Sequence, residues 1–108
     1  MTRNEKIAEV MGWSYYKKDN IFFQGDHWLH SNSWEFCKLL QAKMVADGWM
    51  VEINIYPEDD GGGVSCYAHK GDEYIRVFNS VGVLICFDTE PAALHALFCK
   101  VNGITDEN

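Results

Sequence analysis

Basic residues are scarce. Nine Lys and Arg stand against sixteen Asp and Glu, a formal charge of −7. That charge argues against a protein that grips a phosphate backbone, so direct nucleic-acid binding is not expected. Long apolar runs are also missing. No segment reaches the roughly 18 to 20 apolar residues of a membrane span, and Met1-Thr2-Arg3-Asn4-Glu5-Lys6 lacks the apolar core of a signal peptide. The expected location is the cytoplasm, with no membrane partner. Cys37, Cys66, Cys86 and Cys99 form no C-x-x-C pair and sit among apolar neighbours, so they read as core thiols and not as metal ligands or a disulfide framework. There is no G-x-S-x-G elbow. Gly61-Gly62-Gly63 is not followed by Lys-Ser/Thr and precedes a strand, so it reads as a hairpin turn and not as a phosphate loop.

Aromatics and apolar residues are plentiful. At 108 residues, 47% hydrophobic and 14% aromatic, the chain can fill one small core, which predicts a single domain over 1–108. The acidic excess is uneven: residues 1 to 54 hold six basic and seven acidic groups, residues 55 to 108 three and nine. Solvated loops account for it, and an acidic face meeting a basic surface is the sharper alternative.

Thr2 and Glu5 have capping-box spacing, and Ile7, Val10 and Met11 share a helical face before Gly12, predicting a helix over about 3–11. Residues 13–30 are aromatic but aperiodic and read as an ordered loop with short extended pieces, long enough to be a packed flap or a functional loop. Ser31 or Ser33 caps a second helix that runs to about Asp47, with Phe36, Cys37, Leu40 and Met44 on its apolar face and Gly48 as its stop. From Trp49 to Tyr56 the period changes to two, with Val51, Ile53 and Ile55 on one face. Val64 to His69 and Tyr74 to Phe78 alternate likewise around the Lys70-Gly71-Asp72-Glu73 turn, and Val83 to Phe87 is a candidate fourth strand. Asp88 or Thr89 caps a last helix with Pro91 in its first turn and Leu94, Leu97, Phe98 and Val101 as its stripe. Gly103 ends it, and 104–108 is expected to fray. The predicted class is α+β, with three helices and one antiparallel sheet of three or four strands.

Glu5-Lys6-Ile7-Ala8 with Met11-Gly12-Trp13, Ser33-Trp34 opening a helix that ends Lys43-Met44, Asp47-Gly48-Trp49-Met50-Val51-Glu52-Ile53, and Thr89-Glu90-Pro91-Ala92-Ala93-Leu94 together resemble the phage ABA sandwich domain family. The resemblance spans most of the chain and rests on caps, aromatic anchors and helix starts. It implies an α-β-α sandwich encoded by a bacteriophage or prophage and working in the host bacterial cytoplasm. It carries over no catalytic signature, and the chain departs from the pattern at Phe22 to Trp28 and at 58–63.

Candidate functional residues are few. His27 and His30 flank Trp28 and Leu29 beside Asp26, a weak metal pattern because a structural zinc site needs four ligands. No metal and no cofactor are expected. Trp13, Trp49 and Phe98 read as core anchors, whereas Phe22, Phe23, Trp28 and Trp34 are hard to bury together. His27, Trp28, His30, Trp34, Tyr67 and His69 are therefore the candidate binding residues, supplying stacking surfaces and polar contacts. Three functions compete. The leading one is a small phage or prophage accessory protein, not an enzyme, that binds and modulates a host protein in takeover or anti-defence. The alternative is a module that sequesters a small molecule such as a nucleotide. A small hydrolase comes third. Self-association as a homodimer is compatible with open sheet edges.

Overall fold

Reciprocal bonds start the first helix: the Thr2 hydroxyl accepts from the Glu5 N–H at 3.3 Å, and the Glu5 carboxylate accepts from the Thr2 N–H at 3.1 Å. The structure, a computed structural model, describes residues 2–31, 33–57, 59, 62–77 and 87–105. Helix α1 spans Arg3–Met11 and closes on Gly12, whose φ of 72° is the left-handed conformation that a glycine cap adopts without strain. Helix α2, Trp34–Ala46, is capped by Ser33, and α3, Glu90–Val101, by Thr89. Of the two serines proposed for α2, Ser33 takes the role, accepting from the Phe36 N–H at 3.1 Å.

Residues 13–30 are not a loop. They form a three-stranded antiparallel sheet of β1 Ser14–Tyr16, β2 Ile21–Gln24 and β3 His27–His30. The β2–β3 hairpin turns on Gly25-Asp26, with the first position at a φ of 61°, as a two-residue turn beginning with glycine requires. A second antiparallel sheet follows: β4 Met50–Ile55, β5 Val64–Lys70 and β6 Glu73–Arg76, in chain order. The α+β class with three helices stands, while the single sheet becomes two. Of the candidate fourth strand, residues 83–86 lie outside the described residues, and Phe87 forms a bridge with Val64. Ile104, expected in a frayed tail, is buried and donates its N–H to the Cys99 carbonyl.

The core runs from the first sheet through the helices to the second. In the first sheet, Tyr15, Phe22 and Leu29 lie opposite one another in register. Phe22 and Leu29 are buried and Tyr15 is half-buried. Phe22 meets Phe36 of α2 with ring centroids 4.8 Å apart, and Trp13 packs on both. Burying each of these phenylalanines contributes about 1.5–3 kcal/mol. Helices α2 and α3 pack on each other, and α3 covers β5 and β6. Cys66 and Ala68 of β5 are buried on this side, where the Cys66 thiol donates to the Ala93 carbonyl at 3.1 Å. Tyr74 of β6, opposite His69, points away from this side and is 61% exposed.

Candidate functional site

Alternation along β3 divides the residues grouped in the sequence. Trp28 shares a face with Ser14 and Phe23, and His30 with Tyr16 and Ile21, on the side opposite the Tyr15–Phe22–Leu29 row. The Trp28 and His30 rings meet edge to face at 4.9 Å. His27 lies on the other face, where its Nε2 is 2.9 Å from a carboxylate oxygen of Glu35 on α2. The two imidazoles are therefore not co-ligands. Among the described residues no three His, Cys, Asp or Glu side chains gather in a way that could hold a metal ion.

Trp28 is 53% exposed, and Tyr16 projects from the same face to a similar degree. Each apolar ring here has its packed counterpart one residue away: Tyr15 beside Tyr16, and Leu29 beside Trp28. The sheet buries one row and presents the other. Trp34, the first residue of α2, is 55% exposed and carries the Lys38 ammonium 5.8 Å from its ring centroid.

Tyr67 and His69 belong to a second patch, on the solvent side of β5. Across the β5–β6 ladder Tyr67 faces Arg76 and His69 faces Tyr74. The His69 and Tyr74 rings are stacked at 5.2 Å with planes 17° apart, and the Arg76 guanidinium lies 4.7 Å from the Tyr67 centroid. The Tyr67 hydroxyl donates to the Glu52 carboxylate across β4–β5. That bond holds the phenol protonated and raises its pKa above the ordinary value. Tyr74, Arg76 and Glu52 were missed in the sequence, although the register was readable. A two-residue Gly71-Asp72 turn pairs Lys70 with Glu73, which sets His69 against Tyr74 and Tyr67 against Arg76.

The buried thiols are poor nucleophiles. Burial pushes Cys37 and Cys66 up to about 12, and each donates to a carbonyl in the first turn of α3. Cys99 is buried too, and Cys86 lies outside the described residues. An open cleft of about 200 Å³ lies beside Arg3, Val77, Lys100 and Ile104, away from every candidate residue. Among the described residues no helix is long and apolar enough to cross a membrane. Compared with protein-family models, curated proteins and solved structures, the chain matches none.

Proposed function

We propose that this protein is a non-catalytic binding module that engages another protein through the solvent face of its first sheet. Following the resemblance carried by its caps and anchors, we assign it to the phage ABA sandwich proteins, acting on a protein of the bacterial host. The observation that carries the binding reading is the face bearing exposed Tyr16, Trp28 and His30 around half-buried Phe23, set on a sheet whose other face buries Phe22 and Leu29. Exposed Trp and Tyr on a rigid strand are the usual anchors of an interface, because they bring large contact area at low entropic cost. The partner that fits is a protein with an apolar pocket that receives Trp28 and Tyr16.

The test is affinity capture from bacterial lysate with wild type and Trp28→Ala as baits, identification of the captured protein, and titration of that purified partner. An anchor role predicts that Trp28→Ala weakens binding by about 30-fold or more, the loss of a hot-spot residue. Equal affinities of wild type and Trp28→Ala would overturn the reading.

A second reading is favoured by the other patch. Tyr67, His69, Tyr74 and Arg76 offer ring faces and a cation to a planar anionic ligand such as a nucleotide. A thermal-shift screen over nucleotides tests it: a ligand at 100 times its dissociation constant adds about 2.7 kcal/mol. The shift must vanish in Tyr74→Ala.

A further inference from the structure

Among the described residues β4 is an edge strand, and its hydrogen-bonding phase follows from its pairing with β5. The Tyr56 N–H donates to the Gly63 carbonyl at 2.9 Å, in the same register that sets Asn54 against Ser65, Glu52 against Tyr67 and Met50 against His69. Antiparallel ladders alternate, so these even-numbered residues exchange bonds with β5, and Val51, Ile53 and Ile55 turn their N–H and C=O groups outward. Val64 confirms the phase from the other side: it lies opposite Ile55 and exchanges its backbone bonds with Phe87 instead. Among the described residues no backbone bond reaches the outward groups of β4.

Edge strands are ordinarily guarded by Lys, Pro, a bulge or brevity. In the first sheet the edges β1 and β3 are only three and four residues long, β1 running into Lys17-Lys18, and in the second β6 carries Glu73 and Arg76. Strand β4, Met-Val-Glu-Ile-Asn-Ile, has six residues, a single charge and no Lys, Gly or Pro before Pro57. Its two ends are also apolar and open: Met50 is 60% exposed, and Ile55 is 68% exposed although it shares a face with the half-buried Val51 and Ile53.

We propose that β4 pairs with β4 of a second copy, antiparallel about a two-fold axis through Ile53, joining the two β4–β5–β6 sheets into one. This rests on a different sheet from the binding reading above and is independent of it. The strand selects that register by self-complementarity. With Ile53 on the axis, Ile53 exchanges bonds with the partner's Ile53 and Val51 with the partner's Ile55, so every outward N–H and C=O of the strand is paired. The same register places exposed Ile55 beside the partner's Val51 and exposed Met50 beside the partner's Tyr56, while Glu52 faces the partner's Asn54. A shift that puts Glu52 on the axis sets that carboxylate against its own copy and leaves Ile55 unpaired. A shift to Asn54 leaves Val51 unpaired. A one-residue slip is out of phase with the outward groups. The ladder stops where Pro57 has no N–H to give.

The experiment is sedimentation of the full chain across about 1 µM to 1 mM, for wild type, Asn54→Lys and Asn54→Glu at low salt. Gln24→Lys and Gln24→Glu make the same charge changes on the first sheet as controls. Asn54 is exposed, so neither variant disturbs the core, and far-UV circular dichroism checks the fold. In the proposed dimer Asn54→Lys opposes the partner's Glu52 and tightens association, whereas Asn54→Glu loosens it. Two symmetric cross-strand pairs make each change about 2- to 30-fold, with the Gln24 controls near wild type. Amide exchange at Val51, Ile53 and Ile55 should slow as concentration rises. A wild-type chain monomeric throughout, the opposite order of the Asn54 variants, or equal effects at Gln24 overturns the proposal.

Discussion

The Cys37 thiol on α2 donates to the Pro91 carbonyl oxygen in the first turn of α3 at 3.1 Å. Cys66 makes the equivalent bond from β5 to Ala93, so a helix and a strand each hold the start of α3 through a sulfur. Both thiols are kept neutral by burial, with pKa values raised from 9.0 to about 12. In the unfolded chain they ionise near the ordinary value. Their contribution to stability is therefore fully present below pH 9 and is lost as pH rises through about 12. We expect the alkaline fall in melting temperature over this window to be smaller in Cys37→Ala and Cys66→Ala. Thiol labelling of the native chain with a disulfide reagent, located by peptide mapping, should show both cysteines unreactive until the chain unfolds, and rapid labelling of Cys37 or Cys66 in the folded protein at pH 8 would contradict this account.

Neighbouring phenylalanines on β2 should differ sharply. Phe22 is wholly buried against Trp13, Tyr15 and Phe36, whereas Phe23 lies on the opposite face in line with Trp28. Phe22→Ala should cost about 3–5 kcal/mol in denaturant unfolding, the range for removing a core aromatic. Phe23→Ala should cost well under half of that. Equal losses at the two positions would mean that residues 21–24 do not form a strand with one buried face.

That contrast also explains what the sequence conceals. Helices were legible because several local signals agree at each end: Thr2 with Glu5 and Gly12 for α1, Ser33 with Glu35 and Gly48 for α2, Thr89 with Pro91 and Gly103 for α3. The first sheet was not, because Ile21-Phe22-Phe23 places apolar side chains on both faces and so hides the period of two. Gly25-Asp26 was nevertheless a turn signal of the same kind as Gly71-Asp72, and both glycines have a positive φ, 61° and 60°. The candidate residues were legible only as residue types. Strand alternation separates His27 from Trp28, and cross-strand register, which connects residues five and nine positions apart, brings Tyr74 to His69 and Arg76 to Tyr67.

The contact between His27 and Glu35 should matter little for stability. The side chains are 56% and 59% exposed, and pairs so well solvated contribute from nothing to about 1 kcal/mol. A double-mutant cycle with His27→Ala and Glu35→Ala at low salt should give a coupling within this range, shrinking as salt is added. A coupling several times larger, or one insensitive to salt, would assign this pair a structural role that its exposure does not support.

The α1 cap predicts an acid dependence of its own. Glu5 is held below its ordinary value of 4.5 chiefly by accepting from the Thr2 backbone N–H, with the Thr2 hydroxyl adding to the effect. A carboxylate with a depressed pKa stabilises the fold when ionised. Its contribution is present above pH 4.5 and is lost as pH falls through the lower folded value. Glu5→Gln keeps the shape of the cap and removes the titration, so its stability should fall less steeply than that of wild type on the acid side. Thr2→Ala retains the backbone donor and loses only the hydroxyl, so it should return the carboxyl part of the way toward its ordinary pKa. Carboxyl chemical shifts of Glu5 followed from pH 6 to pH 2 separate the two bonds directly. If the Glu5 midpoint in Thr2→Ala equals that of wild type, the hydroxyl adds nothing and the backbone bond alone sets the shift.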